Sequence, residues 1–167
     1  GLAGNVGRSM AMQVAEEDYP WYVIELSSFQ LDGMYEFRAE VAILMNITPD
    51  HLDRYQYRMQ DYVDSKFRIT QNQTGGDYFI YFADDPIIRE EMSRRQLPAT
   101  CIPFSLSPAE GEGAGVNHNQ IIINIHKNQF SMSILDLALQ GKHNVCNSMA
   151  AAISGMVLEI RNERIRE

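Results

Sequence analysis

Apolar residues in this chain fall into two kinds of run, and the change from one to the other sets out the elements. Tyr22-Val23-Ile24 and Val41-Ala42-Ile43-Leu44-Met45-Asn46-Ile47 are short, nearly unbroken apolar stretches, the form taken by strands covered on both faces in a parallel sheet. Each is followed at once by polar chemistry, Glu25-Leu26-Ser27-Ser28-Phe29-Gln30-Leu31-Asp32 after the first and Thr48-Pro49-Asp50-His51-Leu52-Asp53 after the second. Phe29 to Phe37 has the length of a crossover helix, and a right-handed β-α-β connection predicts that both runs end on the same side of one sheet. From Met59 to about Asn72 the period becomes helical, with Met59, Tyr62, Val63, Phe67 and Thr70 on one face.

The remaining pattern is that of further strands and helices. Asp77-Tyr78-Phe79-Ile80-Tyr81-Phe82 predicts a third strand closed by Ala83-Asp84-Asp85-Pro86, Ile87 to Arg95 a short helix, and Thr100 to Phe104 a strand. Ser105 to Asn119 is rich in Gly, Ser, Pro and Glu and predicts a poorly ordered loop. Gln120 to Ile125 and Gln129 to Ile134 flank Lys127-Asn128, a hairpin pattern. A last helix is predicted from near His143 to about Arg161, with Asn144 placed to cap it and Ala150-Ala151-Ala152 permitting close packing. The fold class is α/β: a mostly parallel sheet with flanking helices and a small β-hairpin region.

Three residues stand out chemically, each with two readings. Ligands of open α/β sheets gather beyond the carboxyl ends of strands, so Glu25 is either met there by a metal or phosphate-bearing ligand or is a strand-end carboxylate facing water. His51 is either a hydrogen-bonded loop residue, the commoner case for a lone histidine after a strand, or a ligand sharing an ion with Glu25, a reading that its neighbours Asp50 and Asp53 strengthen. Lys66 lies on the apolar stripe of its helix. It either extends its ammonium past the core edge or holds a charge in a functional cavity; Asp64 and Arg68, on other faces, already supply solvated charge, which favours the cavity.

The segments Glu25-Leu26-Ser27-Ser28-Phe29-Gln30-Leu31, Asn46-Ile47-Thr48-Pro49-Asp50-His51-Leu52-Asp53-Arg54-Tyr55, Ser65-Lys66-Phe67-Arg68-Ile69 and Leu139-Gln140-Gly141-Lys142-His143-Asn144-Val145-Cys146-Asn147 resemble, in order and spacing, the central ATPase domain of the Mur ligase family, a P-loop NTPase-like fold. The likeness extends from Gly4-Asn5-Val6-Gly7 to Asn147-Ser148-Met149-Ala150-Ala151, and the Glu-Leu-Ser-Ser-Phe-Gln form resembles that of the members that add D-glutamate. The resemblance implies that Glu25 ligates one magnesium ion near the ATP phosphates, that His51 ligates a second, and that Lys66 is carbamylated so that its carbamate helps hold that second ion. Hard oxygen ligands suit magnesium, and a lysine with a lowered pKa supplies the neutral amine that captures carbon dioxide. It further implies that Asn5, Ser27 and Gln30 contact UDP-N-acetylmuramoyl-L-alanine, that Asn144 and Asn147 approach the adenine and ribose of ATP, and that Asp50 supports the ligand beside it. The implied reaction is amide formation: ATP phosphorylates the substrate carboxylate and the amine of D-glutamate displaces phosphate from the acyl phosphate.

One departure from the family shapes the expectation. The family's glycine-rich phosphate loop, Gly-x-x-Gly-Lys-Thr or Ser, is not found: no Gly-Lys-Ser or Gly-Lys-Thr occurs, and Gly141-Lys142 runs on to His143. Residues 1–167 are therefore expected to be a central ATP-binding domain truncated on its N-terminal side. The first strand and P-loop helix would be missing, as would the UDP-binding and amino-acid-binding domains. Such a piece is expected to be inactive alone and, with an exposed sheet edge, open to self-association.

Composition narrows the partners. Against 14 Lys and Arg stand 22 Asp and Glu, and the net charge of -8 argues against nucleic acid and anionic membrane surfaces, both of which need clustered cations. No apolar run approaches the roughly 20 residues of a membrane span, so a cytoplasmic protein is expected. Cys101 and Cys146 fit no metal or disulfide spacing and are expected to be reduced, and His118 and His126 are expected in surface loops. Two rivals remain: another amide-forming relative of folylpolyglutamate or cyanophycin synthetase type, and a non-catalytic nucleotide-binding scaffold.

Overall fold

A computed structural model describes residues 1–5, 8–139 and 141–166; Val6, Gly7 and Gln140 of the motif segments, and Glu167, lie outside the described residues. The chain divides into two compact units, one of Gly1–Phe37 and Asp50–Gln71, the other of Arg38–Pro49 and Asn72–Glu167. No helix among the described residues is long and apolar enough to cross a membrane.

The first unit holds β1 (Leu2–Gly4), α1 (Met10–Glu16), β2 (Val23–Glu25), α2 (Ser28–Asp32), a 3₁₀ turn at Leu52–Tyr55, α3 (Met59–Phe67) and a 3₁₀ turn at Arg68–Thr70. β1 and β2 are parallel, with Gly4 opposite Glu25. Gly4 has φ +111°, and a Cβ there would lie 2.1 Å from the Glu25 carbonyl oxygen, so glycine alone lets the two strand ends close on each other. The predicted stripe of α3 is realised: Tyr62, Val63 and Phe67 are buried, with Leu31 of α2 and Tyr55 also in the core. Beneath them Ser65 Oγ donates to the Ser28 carbonyl at 2.8 Å. The Tyr55 hydroxyl donates to Asp32 Oδ2 at 3.1 Å and lies 3.1 Å from Ser65 Oγ. Arg68 is more than the solvated charge expected from its position: its guanidinium donates to the Leu31 carbonyl at 2.9 Å and to that of Met34 at 3.5 Å, tying α3 to the end of α2 and the residues just after it.

The second unit holds β3 (Val41–Leu44), β4 (Tyr78–Phe82), α4 (Pro86–Arg94), β5 (Thr100–Phe104), β6 (Gly113–Asn117), β7 (Gln120–Ile125), β8 (Asn128–Ser133), a 3₁₀ turn at Ile134–Asp136, α5 (Lys142–Val157) and α6 (Asn162–Ile165). Its six strands follow the order β3-β4-β5-β6-β7-β8. The ladders are parallel from β3 to β6 and antiparallel from β6 to β8, so the expected α/β class with a hairpin region holds. Ile80, Ile102, Phe104, Ile121, Ile123 and Phe130 from the sheet pack with Val145, Met149 and Ile153 of α5 as the core. The acidic turn after β4 is a structural joint. Asp85 Oδ1 accepts from the N–H groups of Ile87 and Ile88 at 2.9 Å each, capping α4, while Oδ2 accepts from Ile47 N–H at 2.9 Å.

Four expectations are corrected. β2 pairs with β1, and β3 with β4, so the two apolar runs do not share one ladder pattern in a single sheet; strand periodicity encodes burial, not the choice of neighbour. The segment between them forms helix only over Ser28–Asp32, where Gly33 closes it. The presumed loop from Ser105 to Asn119 contains β6. Gly113 and Gly115 mark close backbone approach, since a Cβ at Gly113 would meet Pro103 O at 2.3 Å and one at Gly115 would meet Ser107 O at 2.4 Å. Finally, α5 is capped by Gly141, not Asn144, which lies inside the first turn, and it ends at Val157 rather than near Arg161, where Glu159 takes φ +57°.

Candidate active site

In the first unit the polar groups at the end of β2 meet those that follow β1. Glu25 is exposed, and its Oε1 accepts from Asn5 Nδ2 at 3.4 Å while its carbonyl accepts from Asn5 N–H at 2.8 Å. Two residues implicated separately are thus side by side. Ser27 and Gln30 form a second pair: Gln30 Oε1 accepts from both the N–H and the Oγ of Ser27, each at 2.8 Å, which fixes the Gln30 side chain over the start of α2.

His51 enters the 3₁₀ turn in the left-handed region, at φ +49°, a conformation uncommon for a residue with a Cβ and found repeatedly at functional sites. Asp50 stabilises it. Its Oδ1 accepts from His51 N–H at 2.9 Å, and its Oδ2 lies 3.5 Å from His51 Nε2. The imidazole meets the Phe29 ring edge to face, centroids 6.2 Å apart at 83°, and the Arg54 guanidinium stands 4.5 Å from the centroid of that same ring.

Lys66 is half-buried on α3, and its ammonium lies 5.1 Å from the centroid of the Tyr62 ring. Burial pushes it below the ordinary lysine range, opposed by the negative charge of Asp50. Burial first, then Asp50 and Tyr55, raises the Tyr62 hydroxyl. Asp50 is thus the common electrostatic neighbour of His51, Lys66 and Tyr62. A lysine with a depressed pKa offers the neutral amine that carbamylation needs. The resulting anion would face the Asp50 carboxylate, a like-charge pair of hard oxygen donors whose chemistry fits a divalent cation such as magnesium. Among the described residues no group of three or more His, Cys, Asp and Glu is placed to hold a metal ion.

The second unit carries a different kind of feature. A recess of about 450 Å³ lies at the amino end of α5, lined by Leu106, Val116, Ile134, Gly141, Lys142 and Val145. Asp84, just beyond β4, fixes its rim by accepting from Ser105 Oγ at 2.7 Å and Leu106 N–H at 2.8 Å. Asn144 is half-buried in the first turn of α5 and Asn147 is exposed on the next. An apolar recess beside the positive end of a 16-residue helix suits a ligand with a flat apolar part and a negative part.

Cys101 and Cys146 are both free, and burial raises both thiols, which disfavours the nucleophilic thiolate. His118 and His126 are exposed, as expected. The ring contacts of Phe29 with His51 and of Tyr62 with Lys66, and the recess on α5, were not expected from the sequence. Only Tyr62 carried a signal, its i, i+4 spacing from Lys66.

Residues 5–155 match the Mur ligase middle domain family, and the chain belongs to that family. Over 167 residues it is 54% identical to the UDP-N-acetylmuramoylalanine--D-glutamate ligase of Bacteroides fragilis, and 53% identical to that of Bacteroides thetaiotaomicron. At 48% it also resembles the same ligase of Christiangramia forsetii. These alignments take in the whole of this chain but 37%, 37% and 38% of the relatives, so the chain spans little more than a third of their length. Among solved structures, MurF ligase from Thermotoga maritima in complex with ADP shares the fold with a TM-score of 0.60 at 14% identity, over 96% of this chain and 40% of that one. A murein peptide ligase mpl from Psychrobacter arcticus does so with a TM-score of 0.55 at 15% identity, over 78% and 26%.

Proposed function

We propose that this chain is the middle-domain portion of an ATP-dependent ligase that joins D-glutamate to UDP-N-acetylmuramoyl-L-alanine in peptidoglycan synthesis. The observation that carries the reading is the 54% identity to a D-glutamate ligase across the full 167 residues, which includes the Glu25, His51 and Lys66 segments. ATP phosphorylates the terminal carboxylate of the muramoyl-alanine substrate; the D-glutamate amine attacks the acyl carbon, phosphate leaves with its bonding electrons, and the amine loses its proton as the amide forms. Bound magnesium would neutralise charge on the phosphoryl oxygens.

The chain's own groups would divide the remaining work. Asn5 holds the Glu25 carboxylate in place, and Glu25, His51 and the carbamate of Lys66 would be the ligands of two magnesium ions. Asp50 sets the charge around Lys66 and the backbone of His51. Ser27 and Gln30, with Asn5, would orient the UDP-muramoyl substrate. The apolar recess and the positive end of α5 would take the nucleotide, with Asn144 and Asn147 at adenine and ribose. A reaction that consumes ATP and a UDP-linked precursor belongs in the cytoplasm.

The test is turnover by the purified full-length protein. Equimolar ADP, phosphate and UDP-muramoyl-alanyl-D-glutamate are expected, with release of ADP dependent on both co-substrates. Preference for a folate or a poly-amino-acid acceptor would replace this reading with that of another amide ligase, and nucleotide binding without turnover would favour a scaffold. The 167 residues on their own, lacking any Gly-Lys-Ser or Gly-Lys-Thr, are expected to show no turnover.

A further inference from the structure

We infer that Phe29 is a positioning residue for His51, and that Arg54 pins the Phe29 ring from another side. This inference rests on the proposed ligand role of His51. Phe29 is 38% exposed, and its ring is engaged by two functional-looking partners: the His51 imidazole at 6.2 Å and 83° and the Arg54 guanidinium at 4.5 Å. A phenylalanine kept for stability alone is normally buried; this one stands nearly perpendicular to an imidazole and presents its π face to a cation, contacts whose worth lies in direction more than in area.

The placement gives the contact its consequence. Phe29 belongs to α2, between Ser27 and Gln30, which are hydrogen-bonded to each other, while His51 immediately precedes, and Arg54 lies within, the 3₁₀ turn at Leu52–Tyr55. The His51 backbone is already held at φ +49° by Asp50. That contact fixes the main chain, and Asp50 Oδ2, 3.5 Å from Nε2, meets the imidazole on one nitrogen; the Phe29 ring adds a second constraint, on the tilt of the imidazole plane. One ring therefore ties the orientation of an imidazole to the segment that carries two polar substrate-binding candidates. A supporting residue that orients a metal-binding histidine governs affinity for the ion without touching it.

The experiment uses the full-length protein with labelled histidine, the His51 ring signals being identified by their loss in His51→Gln. Phe29→Leu should remove the ring-current displacement of the His51 ring protons and raise the manganese concentration that half-broadens them by roughly tenfold. Phe29→Tyr should retain both, and Arg54→Gln should diminish the displacement without abolishing it, which keeps the test open should Phe29→Leu fold poorly. His51 signals with the same position and manganese response in Phe29→Leu or Arg54→Gln as in the parent protein would overturn the inference. If manganese leaves His51 sharp in the parent, the ligand role fails, and the ring-current displacement still decides whether Phe29 sets the imidazole.

Discussion

The Lys66 ammonium sits over the face of Tyr62, 5.1 Å from the ring centroid and one helical turn along α3. Tyr62 is buried and Lys66 half-buried, so the lysine stem follows the core edge and brings its nitrogen over an aromatic face. That explains why desolvation is the leading influence on the amine, and it places the reactive nitrogen in one spot.

Lys66→Ala in the full-length protein should therefore lower kcat by about 10² to 10³, the scale of losing one preorganised charge at a phosphoryl-transfer site. Short carboxylic acids that mimic the carbamate should restore part of it. Steady-state kinetics with and without added formate or acetate measures both; unchanged turnover removes Lys66 from the site.

The pH dependence of the modification follows from two opposing influences. Burial lowers the Lys66 pKa and Asp50 raises it, so Asp50→Asn should lower it further and enlarge the neutral fraction near neutrality. Labelling with ¹³C-carbon dioxide, followed by the carbamate signal in NMR, should begin at lower pH in Asp50→Asn than in the parent. In the unmodified protein the depressed pKa means that the unfolded chain binds more protons between the folded value and the ordinary lysine value of 10.5. Stability from this group is therefore least below the folded pKa and rises with pH through that window. An onset displaced to higher pH would contradict the role given to Asp50.

Much of this arrangement could be read along the chain, for reasons that the residues make plain. Tyr62, Val63 and Phe67 are buried as their spacing requires, and the β7–β8 pairing follows from alternation, although the left-handed turn residues are His126 and Lys127, one position earlier than expected. Glu25, His51 and Lys66 stand out as candidates because each puts a charged or titratable group at the end of an apolar run or on an apolar face. β6 was not legible, because Gly113 and Gly115 read as loop residues until the nearby Pro103 and Ser107 backbones show what excludes a side chain. The Phe29–His51 contact joins residues 22 apart by number, and no local pattern encodes such a pair.

His51→Ala should raise the magnesium concentration needed for half-maximal turnover in the full-length protein, with a smaller effect at saturating magnesium. A magnesium titration of initial rates is the measurement, and an unaltered magnesium dependence counts against His51 as a ligand.

The last prediction concerns the support beneath the site. Ser65 Oγ, buried, donates to the Ser28 carbonyl at 2.8 Å and stands 3.1 Å from the Tyr55 hydroxyl, so it links α2, α3 and the 3₁₀ turn that follows His51. Ser65→Ala leaves a buried carbonyl without its hydroxyl donor and the Tyr55 hydroxyl with Asp32 as its one remaining partner of the pair. Such a loss costs about 1–3 kcal/mol, which denaturant unfolding would register as a lower midpoint with unchanged slope. Ser65→Thr keeps the hydroxyl but adds a methyl group in a buried position, so it should recover only part of the loss. If Ser65→Ala unfolds at the parent midpoint, the hydroxyl does not hold these three elements together.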